Sequence, residues 1–454
     1  MFKKVLIANR GEIALRIIRA CKELNIQTVA VYSECDDLSL HATFADEAIC
    51  IGPADSRKSY LNIPAIISAA ELTNADAIHP GYGFLSESAE FASICIDQNI
   101  AFIGPNTKII STMGNKSIAK ETVRNAGVPV IPGSKDIVDL ENIHSIANEI
   151  GYPVILKASA GGGGKGMRIV YSQEEINKAY EDAKLESELS FNNGDIYLEK
   201  YIHKPRHIEI QILADTHGNI IGLGERECTI QRRHQKILEE SPSVAINDAL
   251  RKQMNDSAVD VARTCNYVGA GTVEFLLDSN NNYYFMEMNT RIQVEHPVTE
   301  MVLGIDLIKH QIMCHANHKL PGWMVNLKPR GHAIECRINA EDPGNNFMPS
   351  PGLISSFHMP GGMNIRVDTH VYSGYKVPSN YDSMIAKLIV HGLDREDAIN
   401  KMLSALDEFV IEGINTIIPY HKQILNDKNF KTGSFDTSFI ENFNYIIGNE
   451  NESN

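Results

Sequence analysis

The stretch Val154-Ile155-Leu156-Lys157-Ala158-Ser159-Ala160-Gly161-Gly162-Gly163-Gly164-Lys165-Gly166-Met167-Arg168-Ile169-Val170 sets a run of glycines between two short apolar segments. Val154–Lys157 and Met167–Val170 read as strands, so the glycines between them are expected at the tip of a hairpin. Consecutive glycines leave bare N–H groups that can approach phosphate oxygens, and Lys157 and Lys165 add positive charge beside them. The stretch is not a P-loop. That motif, GxxxxGK[ST], needs Ser or Thr after the lysine and a helix at once, whereas Gly166 follows Lys165 and a helical pattern starts only near Glu174. Ala160–Gly166 is therefore expected to close over nucleotide phosphates. A flexible surface hairpin would explain the glycines alone equally well, and the flanking sequence decides between the two.

Upstream, strand and helix patterns alternate. Val5–Ala8 is a short apolar run, Asn9-Arg10-Gly11 a turn, and Glu12–Leu24 a helix with Ile13, Ile17, Cys21 and Leu24 on one face. Thr28–Tyr32, Ala75–His79 and Ala101–Gly104 repeat the strand pattern with helices between, which predicts a doubly wound parallel sheet. The first turn lacks GxGxxG and no acidic residue follows at dinucleotide spacing, so NAD binding is not expected. Pro80-Gly81-Tyr82-Gly83 is a second functional turn at a strand's carboxyl end. Lys116–Asn125 reads as a helix, and Gly127-Val128-Pro129 and Ile131-Pro132-Gly133 mark a domain boundary.

Downstream, Gly271–Leu277 and Tyr283–Asn289 form a hairpin around Asp278–Asn282. Period two places Phe285, Glu287 and Asn289 on one face, with Glu274 across the hairpin. Two carboxylates and an amide oxygen are hard ligands suited to Mg²⁺, and a charge inside Met286-Glu287-Met288 is costly unless it has a partner. Arg291, Gln293 and Glu295 alternate with apolar residues and share a face if that segment is extended. A cation, an amide and a carboxylate together suit a small oxyanion substrate and a base. Gln231-Arg232-Arg233-His234-Gln235-Lys236 is a dense basic run; read as a strand, it points Arg232, His234 and Lys236 the same way. Arg337 alternates away from Ile334, Cys336 and Ile338 and so faces a cleft. His203 and His207 are four apart, but Pro205 breaks any helix between them, so zinc is not expected there.

The whole chain carries a net charge of −15 over 454 residues, which argues against nucleic acid as the main partner. The local basic run then needs a local reason, and a phosphate or bicarbonate site supplies one. No apolar run is long enough for a transmembrane helix. A strand pattern at Lys4–Asn9 opens the chain, so no signal or transit segment is expected ahead of it. Eight cysteines without a CxxC pair fit reduced thiols in a cytoplasmic protein rather than a disulfide or metal framework.

Together these segments closely resemble biotin carboxylase, an ATP-grasp enzyme, and most of all its free-standing subunit in acetyl-CoA carboxylase. The resemblance runs from Val5–Ala14 through His79–Ser86, Lys157–Met167, Gln231–Lys236 and Glu287–Glu300 to Arg330–Glu341 and Tyr381–Lys387, nearly the whole chain. It implies an N-terminal Rossmann-like domain over 1–114 and an ATP-grasp domain over 115–330 with its mobile lid at about 130–203. A C-terminal β-rich α+β domain would follow over 331–447, then a polar tail over 448–454 that frays. Lys116, Lys157 and the Gly163 and Gly164 amides would hold ATP phosphates. Glu199, Lys200, Tyr201 and Ile202 would line the adenine, with His207, Gln231 and His234 also on the nucleotide. Glu274, Glu287 and Asn289 would bind Mg²⁺ or Mn²⁺. Lys236, Arg291, Gln293 and the Val294 amide would cradle bicarbonate, with Glu295 as its base. Arg337 would stabilise carboxyphosphate and then the biotin enolate, with Tyr82 near the biotin ring, and Arg291 matches the family's catalytic arginine. Arg19, Glu23 and Arg366 match positions at the family's dimer interface, which implies a homodimer.

The implied reaction is ATP-dependent carboxylation of biotin by bicarbonate through carboxyphosphate, the first half-reaction of acetyl-CoA carboxylase in fatty acid synthesis. No Met-Lys-Met biotinylation motif occurs, so biotin is expected on a separate carrier protein, served by a separate carboxyltransferase. Pyruvate and propionyl-CoA carboxylases use similar domains. Another ATP-grasp ligase, forming an amide or carbamate, would need an amine site in place of Tyr82 and Arg337. A non-catalytic ATP-binding protein would not keep Lys236, Arg291, Glu295 and Arg337 together.

Overall fold

The computed structural model describes residues 1–134, 137–158, 166–191 and 193–447. The glycine run, with Gly163, Gly164 and Lys165, lies outside the described residues, as does the polar tail.

β1 (Lys4–Ile7), β2 (Gln27–Tyr32), β3 (Glu47–Cys50), β4 (Ala77–His79) and β5 (Ala101–Phe102) form a parallel sheet in the order β3-β2-β1-β4-β5. The central strands are apolar throughout because both faces are covered: Val5 and Ile7 pack on one side, Leu6, Val29 and Val31 on the other. Helix α1 (Gly11–Glu23) buries Ile13, Ile17 and Cys21 as its periodicity predicts. The strand order reverses between β1 and β4, the place where open α/β sheets bind ligands. There the turns after the two strands are knitted together, because Asn9 Nδ2 donates to the carbonyls of Pro80 and Tyr82, both at 2.7 Å. Gly81 has φ +63, and a Cβ on it would lie 2.9 Å from Asn9 Nδ2, so only glycine fits.

β6 (Val154–Ala158), β7 (Arg168–Val170) and β8 (Ile196–Lys200) make a small antiparallel sheet ordered β7-β6-β8. Val154, Leu156, Val170 and Leu198 form its own core with Ile176 and Ala183 of the helix Ile176–Phe191. The pairing of β6 with β7 is the strand frame expected on either side of the glycines.

β9 (Arg206–Ala214), β10 (Ile220–Arg232), β11 (Gln235–Ser241), β12 (Gly269–Leu277), β13 (Tyr283–Asn289) and β14 (His332–Asn339) belong to one antiparallel sheet. It runs β13-β12-β9-β10-β11-β14 and continues through the strands Met384–Gly392 and Ile365–Thr369. Ile208, Ile210 and Ile212 face a core shared with the helix Asp248–Thr264, while Glu209 and Gln211 face the opposite way. The sheet is continuous across residue 330, because β11 pairs with β14.

Candidate active site

A cleft of about 1330 Å³ opens between the turns of the parallel sheet, the small sheet and the polar face of the large one. Of the residues expected at the site and described, each one from Tyr82 to Arg337 lines it, including Lys116, Glu199, His207, His234, Glu287 and Val294.

The β12–β13 hairpin pairs Glu274 directly with Glu287 and Thr272 with Asn289. Phe285 was expected on the face of Glu287 and Asn289, but it is wholly buried in the core beside Met288. The cause is a bulge: Phe275 pairs with Phe285 and Glu274 with Glu287, so Met286 is an extra residue that shifts the alternation. Burial, then repulsion by Glu274, pushes the Glu287 carboxyl above its ordinary range. Burial acts on Glu274 the same way, but Lys236 and His207 outweigh it and hold that carboxyl low. Glu274 Oε1 accepts from Asn289 Nδ2 at 2.7 Å, and Oε2 lies 2.8 Å from His207 Nε2. Two like charges set opposite one another, with the Asn289 side chain alongside, fit a divalent cation and are otherwise unfavourable.

The basic run is not a continuous strand. Arg233 and His234 have φ of 50 and 65 and form a two-residue turn between β10 and β11. Gln231 pairs with Lys236 and Arg232 with Gln235, so Arg232 points away from the cleft instead of beside Lys236. Its guanidinium lies 3.9 Å from the Phe347 ring centroid and 2.6 Å from Glu341. Lys236 Nζ meets Glu209 at 2.6 Å, Glu295 at 2.6 Å and Glu274 at 3.0 Å. Burial alone would lower its pKa; the three carboxylates outweigh burial and keep it charged.

Arg291–Glu295 is a loop rather than a strand, and it leads into the helix His296–Leu303. Buried Ile292 anchors it, and Arg291, Gln293, Val294 and Glu295 turn into the cleft. Glu295 sits between two cations: Lys236 donates to Oε1 at 2.6 Å and Arg337 to Oε2 at 3.0 Å. Burial opposes ionisation of Glu295, but Lys236, Arg337 and Arg226 prevail and hold it well below the carboxylate range. Arg337 alternates with core residues Ile334, Cys336 and Ile338 as expected. It also donates to Glu239 at 2.6 Å, whose carboxyl is raised by burial to about 7 against Arg337's pull. Arg291 donates to Glu87 at 2.9 Å and to Asn289 Oδ1 at 3.0 Å.

Toward the small sheet, Lys157 donates to Glu199 at 2.6 Å, and Lys120 touches the same carboxylate. Lys200 Nζ caps the carbonyls of Gly151 and Tyr152, at 2.9 and 3.0 Å. Tyr82 donates its hydroxyl to Glu12. Lys387 Nζ lies 3.1 Å from the same carboxylate and donates to the Val294 carbonyl at 2.9 Å. His203 stands edge-on to Tyr201, whereas His207 Nε2 lies 2.8 Å from Glu274 and 3.8 Å from Glu209. Arg366 is engaged within the chain by Asp368 and Glu300, and Glu23 by Lys309.

Sequence reasoning missed Lys120, Glu209, Arg226 and Glu239. Lys120 had a signal, since it lies one helical turn beyond Lys116 on the same face. Glu209 had a weaker one, alternating with three isoleucines. Arg226 and Glu239 had none.

The chain matches three families: "Biotin carboxylase, N-terminal domain" over residues 1–110, "Carbamoyl-phosphate synthase L chain, ATP binding domain" over 115–322, and "Biotin carboxylase C-terminal domain" over 335–442. It is 56% identical to Biotin carboxylase 1 of Bacillus subtilis, covering 98% of this chain and 100% of that one. The crystal structure of a biotin carboxylase–β,γ-ATP complex from Campylobacter jejuni superposes with a TM-score of 0.93 at 50% identity, covering 98% and 99% of the two chains. A biotin carboxylase domain dimer of the Hydrogenobacter thermophilus 2-oxoglutarate carboxylase, in complex with MgADP, ADP and bicarbonate, gives 0.90 at 50% identity over 97% of each.

Proposed function

The chain belongs to the biotin carboxylase family, and from that premise we propose that it uses ATP and bicarbonate to carboxylate biotin. The observation that carries this reading is Glu295, an ionised carboxylate clamped between Lys236 and Arg337 in the cleft. Bicarbonate is a weak nucleophile, and geometry suits Glu295 to take its proton, since the two cations that hold the carboxylate also face the space where the anion would sit. The cleft volume exceeds what one small ligand fills, which leaves room for nucleotide and a second substrate.

Lys116 and Lys157, with Lys120 beside them, meet the phosphates, and Lys200, Tyr201 and Ile202 lie along the adenine. Gly163 and Gly164 would close over the phosphates from the lid. Glu274, Glu287 and Asn289 would hold Mg²⁺ or Mn²⁺, which supplies charge neutralisation on the transferring phosphoryl group. Lys236, Arg291, the Gln293 amide and the Val294 N–H cradle bicarbonate while Glu295 takes its proton. The bicarbonate oxygen then bonds to the γ-phosphorus as the bond to ADP breaks, giving carboxyphosphate. That species hydrolyses easily, so exclusion of water by a lid has a purpose. It breaks down to CO₂ and phosphate; the phosphate takes the N–H proton from the ureido nitrogen of biotin next to Tyr82, and that nitrogen bonds to CO₂. Arg337 faces the ureido oxygen with a planar fork that lysine lacks.

The biotin is carried by a separate carrier protein and passed to a separate carboxyltransferase, with acetyl-CoA as acceptor in fatty acid synthesis. A homodimer in the cytoplasm completes this reading; the H. thermophilus relative is described as a dimer. Among the described residues no helix is long and apolar enough to cross a membrane. The test is ATP hydrolysis by the purified chain with and without bicarbonate and free biotin. Hydrolysis should require bicarbonate, rise with biotin and yield carboxybiotin. Indifference to both, or an amide or carbamate as product, would sink the reading.

A further inference from the structure

Arg226, on β10, is completely buried and does not line the cleft, yet all five of its N–H donors are engaged. Nε donates to Glu209 Oε1. One terminal nitrogen donates to Gln211 at 2.6 Å and Thr299 at 3.0 Å; the other donates to Thr272 at 3.0 Å and to Gln293 Oε1 at 2.9 Å. Two of these acceptors belong to the anion cradle or touch it. Glu209 turns its other oxygen to Lys236 at 2.6 Å. Gln293, held by its carbonyl, aims its amide nitrogen at Glu274 Oε1, 2.6 Å away.

A guanidinium can only donate. Its presence behind Gln293 therefore fixes which end of that amide faces it, and so which end faces the cleft. Without it the side chain could present its carbonyl to the pocket, where an incoming anion needs donors. The same guanidinium shares the Glu209 charge with Lys236, fixing where the ammonium sits. We propose that Arg226 is the positioning residue of the bicarbonate cradle, setting the amide of Gln293 directly and Lys236 through Glu209. It touches no substrate itself. This inference rests on the bicarbonate role given to the cleft above.

The test compares steady-state constants of the wild-type chain, Arg226→Met, Gln293→Met and the double variant. Gln211→Met removes a different acceptor of the same guanidinium, away from the cradle, and serves as the control. Arg226→Met is expected to raise the bicarbonate KM about tenfold to a hundredfold, the range of one charge-assisted hydrogen bond, with the ATP KM within about twofold of wild type. The double variant should lie close to the worse single variant, because residues acting as one unit are non-additive. Gln211→Met should lower the melting temperature and leave the bicarbonate KM in place. An unchanged bicarbonate KM in Arg226→Met, a parallel rise in both KM values, or an equal bicarbonate effect in Gln211→Met would overturn the proposal. If Arg226→Met does not fold, Gln293→Glu decides. It keeps an acceptor for Arg226 but offers the anion no donor, so its bicarbonate KM should rise at least as far as in Gln293→Met; wild-type bicarbonate binding by Gln293→Glu would overturn the proposal. A wild-type chain with no bicarbonate-dependent hydrolysis would instead remove the underlying reading, which keeps the two failures apart.

Discussion

Glu295 stands 2.6 Å from Lys236 and 3.0 Å from Arg337, and this places the demand for a base on one side chain. Glu295→Gln keeps the shape and removes the proton acceptor. Its kcat is expected to fall about a hundredfold or more while the ATP KM stays near wild type; turnover within a few-fold of wild type would take Glu295 out of the mechanism. Arg291→Ala should keep nucleotide affinity and lower carboxylation at least about a hundredfold, as lost oxyanion donors do, measured by carboxybiotin formation. Both residues were legible in the sequence because charged groups alternating with apolar ones beside the embedded Glu287 are hard to explain otherwise. Glu209 and Arg226 were not. Alternation shows that a strand has a polar face, but it does not show whether that face meets water or a buried site. Here Glu209, Gln211 and Arg226 are wholly buried, held by one another and by Lys236.

At the scale of elements, most strand and helix positions followed from periodicity; two errors of facing came from counting by two through a break in parity, and Arg291–Glu295 is a loop although its alternation also fits an extended segment. Met286 adds a residue to β13 and sends Phe285 inward; Arg233 and His234 make a two-residue turn that separates Arg232 from Lys236. Neither break has a glycine to announce it, and non-glycine residues at positive φ are uncommon. The strand Met384–Gly392 carries its own consequence. Lys387, wholly buried, joins this strand to Glu12 of α1 and to the Val294 carbonyl in the anion loop. Lys387→Met would leave the carboxylates of Glu12 and Asp368 less compensated, and breaking such a buried pair costs about 3–5 kcal/mol. Urea unfolding should show a loss of that order; a loss below about 1 kcal/mol would mean that the pair is not holding the elements together.

For the whole molecule, the parallel sheet supplies the knitted turns of Asn9 and Tyr82, the small sheet supplies Lys157 and Glu199, one antiparallel sheet supplies His207, Lys236, Glu274, Glu287, Asn289 and Arg337, and the loop after β13 adds Arg291–Glu295. The doubly wound order was readable from alternating patterns. The single large sheet was not, because its pairing of β11 with β14 joins segments separated by the whole β12–β13 hairpin and three helices. Buried ion pairs accompany this architecture and set its response to acid. Burial opposes ionisation of Asp36, but Arg10, at 2.7 Å, outweighs it and holds the carboxyl at about 2 against an ordinary 3.8. A depressed carboxyl stabilises the fold above its unfolded pKa, and the contribution, ~2 kcal/mol, disappears as pH falls from about 4 toward 2. The melting-temperature gap between wild type and Asp36→Asn should therefore close across that window; a gap independent of pH would contradict the assignment. The central claim, that bicarbonate is activated by ATP inside this cleft, is tested most directly by supplying bicarbonate labelled with heavy oxygen together with ATP and biotin, and weighing the phosphate released. Attack of a bicarbonate oxygen on the γ-phosphorus predicts that each phosphate carries one labelled oxygen, and phosphate free of label would contradict it.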